Sequence, residues 1–257
     1  MRAQWTVAGR SCEVQAPVSL VATALAPVMD VRKTLTPVCV SDIETDLLLV
    51  DFGHGKDRLG GSALAQVYGV EGGRPPDVDD PRLLKLFFGV VQALNELGLL
   101  LSYHDRSDGG LFVTLCEMAF AGKCGLDIDI TGLGLDPIAA LFNEELGAVL
   151  QVPSASRDGI LGALKKKGLL RYTKRIGTVR PGRDIVIRYC GRVFLEGDRM
   201  AYERLWAETS FRMHCPTSSC LPTGWPMPEA RARTPRSTGP SRPWACSCVR
   251  PLVSRYR

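Results

Sequence analysis

Apolar residues at Leu83, Leu86, Phe87, Val90, Val91 and Leu94 recur every three or four positions, which places them on one stripe of a helix. Asp80 supplies its N-cap, Pro81 suits the first helical position, and Gly98 ends it. Residues 47–52 differ: a short, mostly apolar run precedes Gly53-His54-Gly55, the pattern of a buried strand feeding a loop. Arg58-Leu59-Gly60-Gly61-Ser62 then leads into a short helical stretch, residues 63–68. Residues 99–103 predict a strand ending in His104-Asp105-Arg106-Ser107-Asp108-Gly109-Gly110, with a helix following over 111–120. The alternation continues with a strand at 126–130, a helix at 137–145, a strand at 148–152 and a helix at 155–165. Strands at 172–179 and 184–189 and a closing helix at 202–211 complete it. Upstream, residues 4–7 and 12–14 flank the turn Ala8-Gly9-Arg10 as a hairpin, and residues 19–25 continue in β character. Strands alternating with helices of this length imply an α/β (α+β layered) domain. No internal repeat is visible.

Composition changes this picture mainly at the end of the chain. The 257 residues are 45% apolar and 23% charged, enough to bury one large core or two small ones. The net charge of +5 is uneven, because residues 215–257 hold seven arginines against Glu229 alone, and residues 1–214 total one negative charge. A near-neutral body argues against a nucleic-acid platform. Eight prolines, four cysteines and almost no periodicity in residues 215–257 predict a disordered tail, and the abrupt change of text suggests a shifted reading frame or an aberrant splice junction. The longest apolar stretch, residues 18–29, is interrupted by Ser19, Thr23 and Pro27 and falls short of the ~20 residues of a spanning helix. With no hydrophobic leader in residues 1–10, no membrane association is expected. Cys12, Cys39, Cys116, Cys124 and Cys190 lie among apolar neighbours without paired spacing, as expected of reduced, buried thiols in a cytoplasmic protein.

Candidate chemistry concentrates at residues 104–110. Asp105 and Asp108 are hard oxygen donors of the kind Mg²⁺ takes, with Ser107 and His104 beside them. Gly109 and Gly110 let a backbone approach a phosphate at a helix N-terminus. The alternative is that Asp108 caps the helix and the glycines only make the turn; the pattern alone leaves both open. Residues 58–62 wrap a phosphate or form an ordinary turn, and without a Walker lysine the turn is favoured. Glu144 and Glu145 are ligands or a solvated helix end, while His54 suits proton transfer but has no partner readable from sequence. There is no Gly-x-Ser-x-Gly elbow and no nucleophilic cysteine context. Cys215-x4-Cys220 and Cys246-x-Cys248 are poorly spaced for zinc.

Five motifs then occur in a telling order. They are Leu59-Gly60-Gly61-Ser62-Ala63-Leu64-Ala65-Gln66, His104-Asp105-Arg106-Ser107-Asp108-Gly109-Gly110-Leu111, Glu117-Met118-Ala119-Phe120-Ala121-Gly122, Leu141-Phe142-Asn143-Glu144-Glu145-Leu146-Gly147 and Trp206-Ala207-Glu208-Thr209-Ser210. Over about residues 15–213 the chain resembles the phosphoribosylformylglycinamidine synthases, large single-chain form, and the likeness stops after Met213.

The resemblance implies the latter part of the second copy of a duplicated aminoimidazole-ribonucleotide-synthetase fold. Residues 1–40 would end a truncated β-rich lobe, residues 41–195 would form its carboxy-terminal α/β lobe, residues 196–214 a closing helix and linker, and 215–257 the tail. It implies ATP-dependent conversion of formylglycinamide ribonucleotide to the formylglycinamidine, with glutamine-derived ammonia displacing phosphate from an iminophosphate. Asp105 corresponds to a Mg²⁺ ligand and Ser107 to a contact of ATP. The family's other metal ligands belong upstream, and its glutaminase domain should follow residue 214; no catalytic residue is assigned, and the chain alone is expected to be inactive. The intact family member is expected to be a monomer. Two alternatives stand beside this: a same-fold ATP enzyme of the aminoimidazole ribonucleotide synthetase, selenophosphate synthetase or thiamine-monophosphate kinase type, and a non-catalytic product whose basic tail binds anions.

Overall fold

The structure, a computed structural model, describes residues 2–7, 9–15, 23, 25–28 and 30–214. The β character expected at 19–25 falls almost wholly outside the described residues, as do the tail and its cysteines. The chain divides into two units, with the boundary between Thr34 and Leu35.

In the first unit, β1 (Arg2–Val7) and β2 (Arg10–Gln15) form the expected antiparallel hairpin, in register from Arg2 opposite Gln15 to Val7 opposite Arg10. Gly9 takes the left-handed φ of +76° that this tight turn demands. Glu13 accepts hydrogen bonds from Arg2 and Gln4 across the pair.

The second unit is built on a seven-stranded sheet. Its strands are β3 (Thr45–Asp51), β4 (Ser102–Asp105), β5 (Gly125–Asp129), β6 (Gly147–Pro153), β7 (Thr173–Arg180), β8 (Asp184–Tyr189) and β9 (Arg192–Asp198). They lie in the order β4-β6-β3-β7-β5-β8-β9, and every neighbouring pair is antiparallel except β5 and β8. The helices are α1 (Ala63–Tyr68), α2 (Pro81–Glu96), α3 (Gly110–Gly122), α4 (Pro137–Phe142), α5 (Arg157–Lys166) and α6 (Arg199–His214).

Two apolar cores flank the sheet. Leu47 and Leu49 of β3 join Val149 of β6 and residues of α3 and α4, including Leu111, Leu115 and Phe142. Leu48 and Val50 join Ala148, Leu150 and Val152 of β6 against α2 and α5. Burial on both faces explains why these strands read as continuous apolar runs instead of alternating ones. On α2, Phe87, Val90, Val91 and Leu94 are buried as the stripe predicts, each contributing about 1.5–3 kcal/mol. Asp80 caps this helix through the Arg82 amide at 2.9 Å. This layered α/β arrangement is the fold class expected from the alternation.

Some boundaries move for local reasons. β4 begins at Ser102, because residues after Gly98 first serve as a connector: the Leu99 amide donates to Leu94 and the Leu101 amide to Gln151. His104 and Asp105 are therefore strand residues, not the start of a turn. Helix α4 stops at Phe142 instead of continuing to 145, since Asn143 turns extended and its side-chain amide donates to the Ala139 carbonyl at 2.7 Å. β9 is not evident in the pattern; Cys190 and Gly191, at φ +49° and +74°, make the tight turn that folds it back on β8, which leaves Cys190 exposed while Cys39, Cys116 and Cys124 are buried as expected. No described helix is long and apolar enough to cross a membrane.

Candidate functional site

Three segments far apart in sequence meet at one end of the neighbouring strands β4, β6 and β3. Asp51 at the end of β3 lies opposite Gly147 at the start of β6, and Asp105 at the end of β4 lies opposite Ala148. Antiparallel pairing thus brings together the loop after β3, the turn after β4 and the link between α4 and β6.

Arg106 fastens the three. Its backbone amide donates to the Gly147 carbonyl at 2.8 Å, its Nε to the Glu145 carbonyl at 2.6 Å, and its Nη2 to Asp51. A β-carbon at Gly147 would stand 2.3 Å from the Val50 carbonyl oxygen, so only glycine permits this approach.

The two glutamates then divide the work. Glu145, 1% exposed, accepts from Arg58 Nε and Nη2 at 2.6 Å each and from the Arg58 amide at 3.1 Å. Arg58 turns its remaining face to Asp79 at 3.0 Å and to the Asp77 carbonyl. The hydrogen bond from Arg58 to Glu145 leads the effects that hold the guanidinium above its ordinary range. Glu144 accepts at Oε1 from the amides of Ala63 and Gly109, each at 2.8 Å, so one carboxylate ties α1 to the turn before α3. A solvated helix end is thereby excluded for both.

The same contacts revise the glycine turn. The amide of Gly109 is taken by Glu144 and that of Gly110 by the Ser107 carbonyl, so neither is offered to a phosphate. Gly109 and Gly110 have φ +84° and +68°, and a β-carbon on Gly110 would stand 2.6–2.8 Å from backbone atoms of residues 141–143. Gly110 serves the close approach of α3 to the end of α4, and Gly109 makes room for the Val113 side chain of α3. Asp108 does not cap α3: the N-cap is Gly109, with no side-chain hydrogen bond.

Asp105 projects a carboxylate that is 70% exposed, with His104 Nδ1 at 3.6 Å. Ser107 and Asp108 are exposed in the following turn. His104 is engaged elsewhere, its Nε2 lying 3.0 Å from Glu117 Oε2 while Glu117 Oε1 accepts from Trp206 Nε1 at 2.9 Å. The mutual hydrogen bond, against the opposing effect of burial, raises the imidazole and lowers the carboxyl relative to their ordinary values. His54, at φ +51°, lies against the ring of Tyr172 with centroids 5.0 Å apart. Among the described residues no three His, Cys, Asp or Glu side chains are grouped as a metal centre.

One acid escaped the sequence pattern. Asp57 has a left-handed φ of +45° and accepts from Asn143 Nδ2 at 3.1 Å. Burial first, then Asp51, raises its carboxyl above the usual range. Its only local signal was a place in a glycine-rich loop.

Residues 47–190 match the family model described as AIR synthase related protein, C-terminal domain, over more than half of the chain. The chain belongs to this family. Among solved structures, the chain is similar to PurL of Thermotoga maritima complexed with ATP, with TM-score 0.54 and 15% identity over 66% of this chain and 27% of that one. The same organism's PurL complexed with FGAR gives 0.54 and 14%, over 66% and 29%. Its phosphoribosylformylglycinamidine synthase II gives 0.51 and 14%, over 66% and 27%. Identities this low establish the AIR synthase-related fold, and the chain spans between 27% and 29% of the length of these three.

Proposed function

We propose that this chain is a portion of a phosphoribosylformylglycinamidine synthase and supplies one wall of its ATP–Mg²⁺ site, with Asp105 as a metal ligand and Ser107 as a contact of ATP. The observation that carries this is the exposed Asp105 carboxylate, held at the sheet edge by a backbone that Arg106 and Glu144 fix in place. A single hard carboxylate beside a hydroxyl fits Mg²⁺, which takes one or two carboxylates and completes its octahedron with water and phosphate oxygens. When bound, Mg²⁺ neutralises charge on the transferred phosphoryl group. The chain's own part is positional: Asp105 would hold the ion, Ser107 would hydrogen-bond the nucleotide, and the Arg58–Glu145 pair fixes the adjoining loop.

The relatives complexed with ATP and with FGAR support those ligands as substrates, and glutamine-derived ammonia would be the second nucleophile. In this reading residues 1–40 belong to a preceding lobe, 41–195 to the α/β lobe and 196–214 to a closing segment, in a cytoplasmic enzyme that is monomeric when intact. One aspartate with the nucleotide's own phosphates would bind the ion but not clamp it for phosphoryl transfer, so the chain by itself is inactive.

The test presents the full chain with Mg²⁺, ATP, ammonium and formylglycinamide ribonucleotide, and follows both binding and product. The expected result is weak binding of the ribonucleotide and no formylglycinamidine. Product formation would overturn the inactivity. Binding of aminoimidazole precursors in preference to formylglycinamide ribonucleotide would reassign the chain to a same-fold synthetase.

A further inference from the structure

A cavity of about 660 Å³ opens beside α1 and includes neither Asp105 nor Ser107 in its lining. That volume is typical of pockets for small molecules. Its walls are largely apolar, formed by Leu59, Leu64, Tyr68 and Ile138. Its charged lining is all of one sign: Lys56, Arg58 and Arg74, with no carboxylate among the lining residues.

The wall is firmly built. The Gly60 amide donates to the Arg74 carbonyl at 2.9 Å, and a β-carbon at Gly60 would stand 2.6–2.7 Å from the backbone of Gly73 and Arg74. Backbone at Arg74 is therefore fixed while its side chain is exposed and makes no ion pair among the described residues. The other two cations are already matched. Lys56 pairs with Asp79 at 2.8 Å, and Arg58 pairs with Asp79 and with the buried Glu145. Three cations facing two carboxylates leave one positive charge uncompensated, at the residue with a free side chain.

We infer that this cavity binds a small amphipathic anion, one with a flat or branched apolar body and a single acidic group. The apolar body would lie against Leu64 and Tyr68, where its burial drives binding, and the acid would meet Arg74, whose planar fork suits a carboxylate, sulfonate or phosphate monoester. This site is separate from the proposed nucleotide site and does not depend on that assignment.

The probe is anilinonaphthalene sulfonate, a flat apolar anion, titrated into the full chain and followed by its fluorescence. Two variants accompany it: Arg74→Glu reverses the unmatched charge, and Val70→Trp fills the lining at a residue that is 62% exposed and thus tolerant of size. Circular dichroism and thermal unfolding verify that each retains the fold. Saturable one-to-one binding, weakened about tenfold or more in each folded variant, and unaffected by excess Mg²⁺–ATP, is the expected result. Unsaturable binding, or equal binding by a folded variant, would mean general adsorption and would overturn the site. Displacement by Mg²⁺–ATP would make the cavity part of the nucleotide site and overturn its separateness. Loss of Mg²⁺–ATP binding alone would strike only the function proposed above.

Discussion

The loop after β3 and the turn after β4 share a composition: each mixes aspartates, an arginine and paired glycines, and each is secured by a glutamate from residues 144–145. Their outcomes differ in what is left exposed. The first buries its arginine, with Arg58 locked between Glu145 and Asp79. The second buries Arg106 as a brace and leaves Asp105, Ser107 and Asp108 facing solvent. Both arginines end in structural ion pairs, Arg58 with Glu145 and Asp79 and Arg106 with Asp51, yet only the second turn leaves its carboxylates exposed. What differs is where the carboxylates of each turn go: Asp57 is turned inward onto the Asn143 amide, whereas Asp105 and Asp108 face solvent.

The largest effect expected from disturbing this contrast is at Glu145→Ala. It would leave the buried Arg58 with only the partly exposed Asp79 as a partner and cost about 3–5 kcal/mol in denaturant unfolding. The double variant Arg58→Met with Glu145→Leu should recover most of that loss, since two apolar side chains leave no unpaired charge. Failure of the double variant to recover would show that the hydrogen-bonded geometry, not charge pairing, carries the stability.

Gly110→Ala comes next. Its positive φ and contact with the backbone at the end of α4 predict a loss of about 1–3 kcal/mol. Gly61→Ala in the other turn has φ +73° but open space around it, so its loss should be the smaller. Equal losses would mean that backbone conformation alone matters and that the close approach of α3 to α4 contributes nothing.

A smaller, pH-dependent effect belongs to His104 and Glu117. His104 is raised above its ordinary 6.5, so its contribution is complete below about pH 6.5 and is lost as pH rises through the folded value. Glu117 is lowered from 4.5, so its contribution is present above about pH 4.5 and is lost as pH falls through the folded value. The pair therefore stabilises most between these limits, by about 1 kcal/mol. Glu117→Gln should flatten this part of the stability–pH profile, measured by chemical denaturation; an unchanged profile would remove the pair from the account.

Much of the fold was legible because it rests on short-range pattern. The α2 stripe with Asp80 and Pro81, the apolar run of β3 and the hairpin around Gly9 each carry their cause within a few residues. The site was legible only in its parts. Residues 104–110 stood out as a group, but Arg58 and Glu145 are 87 positions apart, and no periodicity links them. The same holds for Glu144, whose two amide partners lie in two other loops, and for Asp57, whose raised carboxyl depends on burial and on Asp51. β9 was missed because its turn uses Cys190 in a left-handed conformation that cysteine seldom adopts.

Asp105→Asn should change stability by no more than about 0.5 kcal/mol, because the side chain is exposed and, among the described residues, pairs only with His104. Its consequence should lie in binding, and isothermal titration of ATP into the full chain with and without Mg²⁺ reads it directly. The account predicts that Mg²⁺ strengthens ATP binding to the unaltered chain and that Asp105→Asn abolishes this dependence while leaving the fold intact. Identical Mg²⁺ dependence in the variant would contradict it.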